Sequence, residues 1–115
     1  MSFMSGVKPV VFLGNSLEDL RAFPVDARRE AGYQLDKVQR GGFPDSWKPV
    51  PPIGPGVQEI RISDVSGQFR VFYVAKFVEA IYILHCFHKK TQKIPKRAID
   101  LAANRYCELL KERNL

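Results

Sequence analysis

The sequence predicts a single α+β domain of βααβββα order, with an antiparallel sheet and its helices packed on one face. Three observations lead there. Between Val57 and Pro95 the chain reads as three runs rich in β-branched and aromatic residues, VQEIRIS, QFRVFYVA and VEAIYILHCF, joined by short polar turns. Such runs read as neighbouring strands of an antiparallel meander. On either side, apolar residues recur at helical spacing. Finally, 115 residues leave room for one domain with one modest core.

The elements follow in order. Lys8 to Leu13, KPVVFL, is a short apolar run ended by Gly14, fitting an edge or partner strand. Asn15 or Ser16 is placed to cap a short helix from Leu17 to Ala22. Glu18 and Asp19 lie in its first turn, where the positive end of the helix dipole favours acids. Pro24 suits the first turn of a second helix, because the N–H it lacks has no helical partner there. The spacing of Val25, Ala31, Leu35 and Val38 carries that helix to about Arg40, and Gly41-Gly42 ends it. Its outer face mixes charges of both signs, as a solvated face does. Phe43 to Pro55 contains five prolines and is expected to be an irregular loop, neither helix nor central strand.

In the meander, alternation sets Ile60 and Ile62 against Glu59 and Arg61, and Phe69, Val71 and Tyr73 against Arg70, Phe72 and Val74. An unpaired arginine is rarely buried, so Arg61 and Arg70 are expected to point away from the helix-covered core, onto an open surface shared with His88, Lys89 and Lys90. Pro95 then opens a last helix, with Ala98, Leu101, Ala102, Tyr106 and Leu109 on its apolar face, running to near Leu115.

Composition narrows the function classes. A hydrophobic share of 45% against 26% charged residues is globular, and no apolar run approaches the roughly 20 residues of a membrane span. The first residues lack the long apolar region of a secretory leader, so a cytoplasmic location is expected. The net charge of +6 and pI near 9.6 favour polyanionic partners, nucleic acid first. Cys86 and Cys107 have no C-x-x-C spacing, so no zinc site is read, and two buried thiols are the expected state. No metal or other cofactor is implied.

The stretch GQFRVFYVAKFVEAIYILHCFHKKTQKIPKRAIDLA resembles the RelE/HigB superfamily of bacterial toxins, most closely its phage-derived HigB-like branch. The resemblance rests on the Gly-x-aromatic-Arg-Val-x-Tyr strand at Gly67 to Tyr73, on Phe87, on Lys89-Lys90-Thr91 and on Pro95. Trp47-Lys48-Pro49 and the Gly-rich link into VQEIRI extend it over roughly Val10 to Leu110. Ile94 stands where the family often has threonine, and the mid-chain loop is richer in proline than the family pattern. The resemblance implies a toxin of a type II toxin-antitoxin system: an mRNA endoribonuclease acting in the ribosomal A site, neutralised by a cognate, helix-turn-helix, HigA-like antitoxin. It also implies Arg70 as the phosphate-stabilising residue, with Lys89 or Lys90 at the catalytic edge.

The residues themselves fit cleavage without a metal. The 2′-hydroxyl of RNA attacks the adjacent phosphate, and the protein must take a proton, stabilise charge on the phosphoryl oxygens and protonate the leaving oxygen. Arg70 suits a two-pronged grip on phosphate, and Arg61 on the adjacent strand adds to it, unless Arg61 instead pairs with Glu59 or Asp64. His88, at a strand end among lysines, has the intrinsic pKa of an acid or base, whereas His85, set by alternation on the face of Ile81, Ile83 and Phe87, reads as core. A lysine reaches that range only when crowded by like charges, as Lys89, Lys90 and Lys93 are. The same lysine pair would also serve merely to keep a sheet edge from aggregating. Trp47 and Lys48 are read as an RNA contact, the ring stacking on a base and the ammonium meeting its phosphate; the other reading folds Trp47 onto the core. Two further functions stay open: a ParE-like gyrase inhibitor, and a catalytically inactive module that binds RNA or antitoxin.

Overall fold

The computed structural model describes residues 7–114. The reading of the first residues as lacking a leader falls partly on residues 1–6, and the end of the last helix at Leu115, outside that range. The described elements are β1 (Val10–Phe12), α1 (Ser16–Arg21), α2 (Val25–Gln39), β2 (Trp47–Pro49), β3 (Val57–Asp64), β4 (Gly67–Val74), β5 (Ile81–Lys89) and α3 (Lys96–Arg113). They form an α+β fold on one sheet of order β1-β5-β4-β3-β2.

The meander is as the alternation predicts, with β3, β4 and β5 antiparallel neighbours. The sheet as a whole is mixed, however, because β1 runs parallel to β5 along one edge. The long connection that a parallel pair requires runs from β1 through α1 and α2 to the far edge of the sheet and back along β2, β3 and β4. At the other edge, Trp47–Pro49 pairs antiparallel with β3, so the proline-rich loop contains a short strand. An edge is where a strand bearing proline is tolerated, since one row of its backbone groups needs no ladder partner.

The helices cover both faces, not one. Leu20, Phe23, Ala27, Ala31, Leu35 and Val38 of the α1–α2 segment pack on Ile60, Ile62, Phe69, Val71, Tyr73, Ile81 and Ile83. On the opposite face, Ala98, Ala102, Tyr106 and Leu109 of α3 pack on Phe72, Val74 and Leu84, with Val50, Ile53 and Val57 closing the side. The cause is visible in β4: from Phe69 onward it is apolar on both faces except at Arg70, the pattern of a strand buried on both sides. Tyr106, expected in the core, is buried and its hydroxyl donates to the Pro55 carbonyl at 2.7 Å.

Two local expectations change. Asn15 precedes α1 but makes no side-chain cap; its Oδ1 accepts from Arg105 of α3 at 2.5 Å. Cys86 is buried, and burial pushes its thiol up to about 12, while Cys107 is exposed on α3.

Candidate nucleic-acid interface

Alternation and register bring cations from four strands to one end of the sheet. On the α3 face, Phe72 and Val74 lie under the helix, but beyond them the same parity of β4 turns polar at Arg70 and Gln68. In β3 that parity carries Glu59 and Arg61, and in β2 Lys48, which lies opposite Glu59. Arg61 and Arg70 are direct cross-strand partners. Like charges placed opposite one another destabilise a strand pair, so this arrangement is costly for the fold alone. Lys89, at the end of β5, pairs in register with Gln68. The loop from Lys90 to Pro95 closes the far side.

The result is a cleft of about 440 Å³, lined by Lys48, Arg61, Arg70, Lys89 and Lys93 together with Glu59. Five of the eight residues predicted for the site thus meet in one place. Arg61 is exposed and forms no ion pair among the described residues.

Arg70 departs from the expectation of an exposed cation. Its side chain is 6% exposed and lies 3.0 Å, Nε to Oε2, from Glu59, which is 2% exposed. The sequence had set Glu59 or Asp64 beside Arg61. Instead Glu59 takes Arg70, and Asp64 accepts from the Ser66 backbone N–H at 2.6 Å within the β3–β4 turn. The Nε contact is an ion pair without hydrogen-bond alignment, since Nε has no hydrogen-bond partner. Nη1 donates to the Phe69 carbonyl at 3.0 Å, which leaves Nη2 as the corner not engaged by those two groups. Burial pushes the guanidinium pKa down from its usual 12.5, against the pull of Glu59. An arginine nonetheless stays charged across the physiological range.

Lys89 has a structural task as well. Its ammonium donates to the carbonyls of Thr91 at 2.6 Å and Gln92 at 2.7 Å, and the Thr91 hydroxyl donates to Lys93 O at 2.6 Å. The Lys-Lys-Thr-x-Lys stretch is therefore a self-bonded loop that brings Lys93 to the cleft.

Three predicted residues lie elsewhere. His88 pairs with Phe69, not Arg70, and so belongs to the opposite face, where it stacks on the Phe69 ring at 4.5 Å between centroids. Lys90 is exposed past the end of β5 and does not line the cleft. Trp47 pairs with Ile60 while Lys48 pairs with Glu59, which turns the two side chains to opposite faces of the sheet. Trp47 is half-buried and stacks on Phe43 at 4.9 Å, so it is neither in the cleft nor part of the core cluster.

His85 does not share a face with Ile81 and Ile83. A register shift at Phe72/Tyr73 resets the alternation, so that His85 pairs with Phe72 and stacks on Phe87 at 5.2 Å. Burial and nearby Arg105 push its pKa below the usual imidazole value, against the opposing pull of Asp19 at 4.0 Å.

Glu59 is the residue that sequence reasoning missed as a site member. Its parity, shared with Arg61 and facing an arginine on the next strand, was the available signal.

The fold and the cleft define a small α+β protein with a cation-lined cleft at the exposed end of a meander. The chain belongs to the family of phage-derived Gp49-like proteins, whose family model matches residues 18–107. That family is associated with RelE/HigB-like toxins, which fits a toxin-antitoxin setting and suggests an antitoxin as partner. No curated protein matches the chain. Among the described residues, no helix is long and apolar enough to cross a membrane, and no group of three His, Cys, Asp or Glu is placed to hold a metal ion.

Proposed function

We propose that the protein is the toxin of a type II toxin-antitoxin pair, acting in the cytoplasm as a metal-independent endoribonuclease on mRNA in the ribosomal A site. The observation that carries this reading is the convergence of Lys48, Arg61, Arg70, Lys89 and Lys93 on one cleft beside Glu59. A phosphodiester bound there meets a guanidinium already held by the protein, so little reorganisation is needed as charge develops on phosphorus. Arg70 and exposed Arg61 stabilise the phosphoryl oxygens. Among the described residues Glu59 is the sole carboxylate lining the cleft, and it is the group available to take the 2′-hydroxyl proton. As the 2′-oxygen bonds to phosphorus, the bond to the 5′-oxygen breaks, and an ammonium of Lys89 or Lys93 supplies the leaving group's proton. The products are a 2′,3′-cyclic phosphate and a 5′-hydroxyl.

Ribosome and mRNA as partners, and a HigA-like helix-turn-helix antitoxin, follow from the resemblance of the Gly67–Tyr73 strand and the lysine motif to HigB-like toxins. The test is induction in growing bacteria followed by mapping of mRNA 5′ ends. Growth arrest with codon-spaced cuts is expected, and both should vanish in Arg61→Gln. A DNA-damage response without RNA cuts would indicate a ParE-like gyrase inhibitor; absence of toxicity would indicate a binding module.

A further inference from the structure

Strand β5 is longer than its neighbour at the sheet edge. β1 pairs with it only over Ile81–Ile83. Just beyond, the Leu84 carbonyl accepts from Arg105 at 2.9 Å, and Asp19 of α1 stands 4.0 Å from His85. From Cys86 to Lys89, β4 is then the only strand beside β5 among the described residues. An open edge of this kind is a template for another chain's backbone.

Two cavities flank this edge, one on each face of the sheet. The one on the α1–α2 face measures about 470 Å³ and is lined by Phe23, Pro24, Phe69 and Cys86, with Asp19 at its α1 side. The one on the α3 face measures about 380 Å³ and is lined by Pro95, Arg97, Ala98 and Leu101. His85, Phe87 and His88 line both. A strand added to the edge sends successive side chains to opposite faces. Two adjacent apolar residues of one extended segment therefore match the two cavities, while its backbone meets the edge.

Charge selects the occupant. Lys89 and Lys90 lie at the open end of the strand and Arg97 lines the α3-face cavity, against the carboxylate of Asp19 on the other side, and the whole chain carries +6. A second copy of this chain would bring two such sets of cations to one short seam, whereas an acidic segment meets them favourably. We propose that the β5 edge from Cys86 to Lys89 docks an extended, acid-flanked segment of a partner protein by strand addition, with two consecutive apolar side chains seated in the flanking cavities. This stands apart from the nuclease reading. Because Lys89 also lines the cleft, the test reads binding and not cleavage.

The full chain, labelled with 15N, is titrated with a set of acetylated, amidated six-residue peptides: two acids, two positions varied among Val, Leu, Phe and Thr, and two acids. The best members are expected to bind with Kd on the order of 10–100 μM, shifting the amides of residues 85–89. N-methylation of alternate peptide amides should abolish binding on one register and spare it on the other, and Arg97→Glu should weaken it by at least about tenfold. The proposal is overturned if no member binds at about 1 mM, or if N-methylation in both registers is tolerated. It is likewise overturned if sedimentation shows the chain pairing with itself through this edge, or if oligouridylate moves the same amides instead.

Discussion

Truncating Arg70 tests how the candidate site is held together, because its cation is buried on an ion pair. At 3.0 Å the Nε–Oε2 contact corresponds to a gross attraction of about 5.5 kcal/mol at an effective dielectric near 20. Desolvation of two side chains, 6% and 2% exposed, offsets most of this, so the pair's net worth is small. Removing one partner is another matter. Arg70→Ala leaves Glu59 charged, buried and alone, at an expected cost of about 3–5 kcal/mol. For a chain of 115 residues that is a fall in Tm of about 12–20 °C, taking about 4 °C per kcal/mol. Replacing both groups by neutral residues of similar shape, Glu59→Gln with Arg70→Met, should restore stability to within about 1 kcal/mol of wild type or exceed it. Thermal and urea unfolding followed by circular dichroism on the two single variants and the double gives the coupling energy. A loss below about 1 kcal/mol in Arg70→Ala, with no coupling, would refute a desolvated ion pair at this site. Loss of activity in Arg70→Ala is then interpretable only beside the double variant, which folds yet lacks both the guanidinium and the carboxylate, so that its activity reports the pair and not Arg70 alone.

Arg61→Gln should leave stability within about 0.5 kcal/mol of wild type, because an exposed side chain is removed and a cross-strand repulsion relieved. Its RNA affinity should fall, and the slope of log K against log salt should shrink by about 0.7; an unchanged slope would mean Arg61 does not meet phosphate. Lys90→Gln and His88→Ala, one outside the cleft and one on the far face, should leave cleavage near wild type in the mapping assay. Lys89→Gln should abolish cleavage and also raise amide exchange across residues 90–93, since its ammonium bonds the Thr91 and Gln92 carbonyls. At alkaline pH, burial holds Tyr73 up at about 12 against 10.0 for the free side chain. The folded state favours the neutral phenol, so this contribution is complete below pH 10 and is lost as pH rises toward 12. The loss is about 2–3 kcal/mol, and Tyr73→Phe should flatten the decline of Tm with pH over that window.

Much of the fold was legible because the meander announces itself locally. Its strands are short-range neighbours, and alternation at Ile60, Ile62, Phe69, Val71 and Tyr73 named the face that meets the α1–α2 segment. What alternation did not convey is that the other face is also covered. Phe72, Val74 and Leu84 required a second layer, and only a strand read as apolar on both sides reveals it. The register shift at Phe72/Tyr73 has no sequence signature of its own, and it moved His85 off the face of Ile81 and Ile83. The cations of the cleft were legible by parity and motif. Trp47 was not, since two adjacent residues in an extended loop can share a site, whereas in a strand they part to opposite faces. The sequence offered no sign that β2 exists, because prolines in the segment from Phe43 to Pro55 mask a pairing that uses just three residues.

The burial of Arg70 strengthens the case for charge stabilisation while weakening the simple view of an open cationic patch. An exposed arginine on a mobile side chain must be ordered as it meets a phosphate, and water screens what it then contributes. Arg70 has already been desolvated and fixed by Glu59 and the Phe69 carbonyl, so those costs are met on folding, before any phosphate arrives. The arrangement also predicts a conflict. Replacing the ion pair with apolar or neutral residues is expected to stabilise the domain by up to about 4 kcal/mol, yet it removes the cleft guanidinium whose geometry is set in advance. A site kept for its function should therefore show stability and activity moving in opposite directions across the Glu59 and Arg70 variants. A purely structural ion pair would give no such opposition: the stabilised double variant would cut RNA as well as the parent, and the cleft would have to be assigned to binding alone.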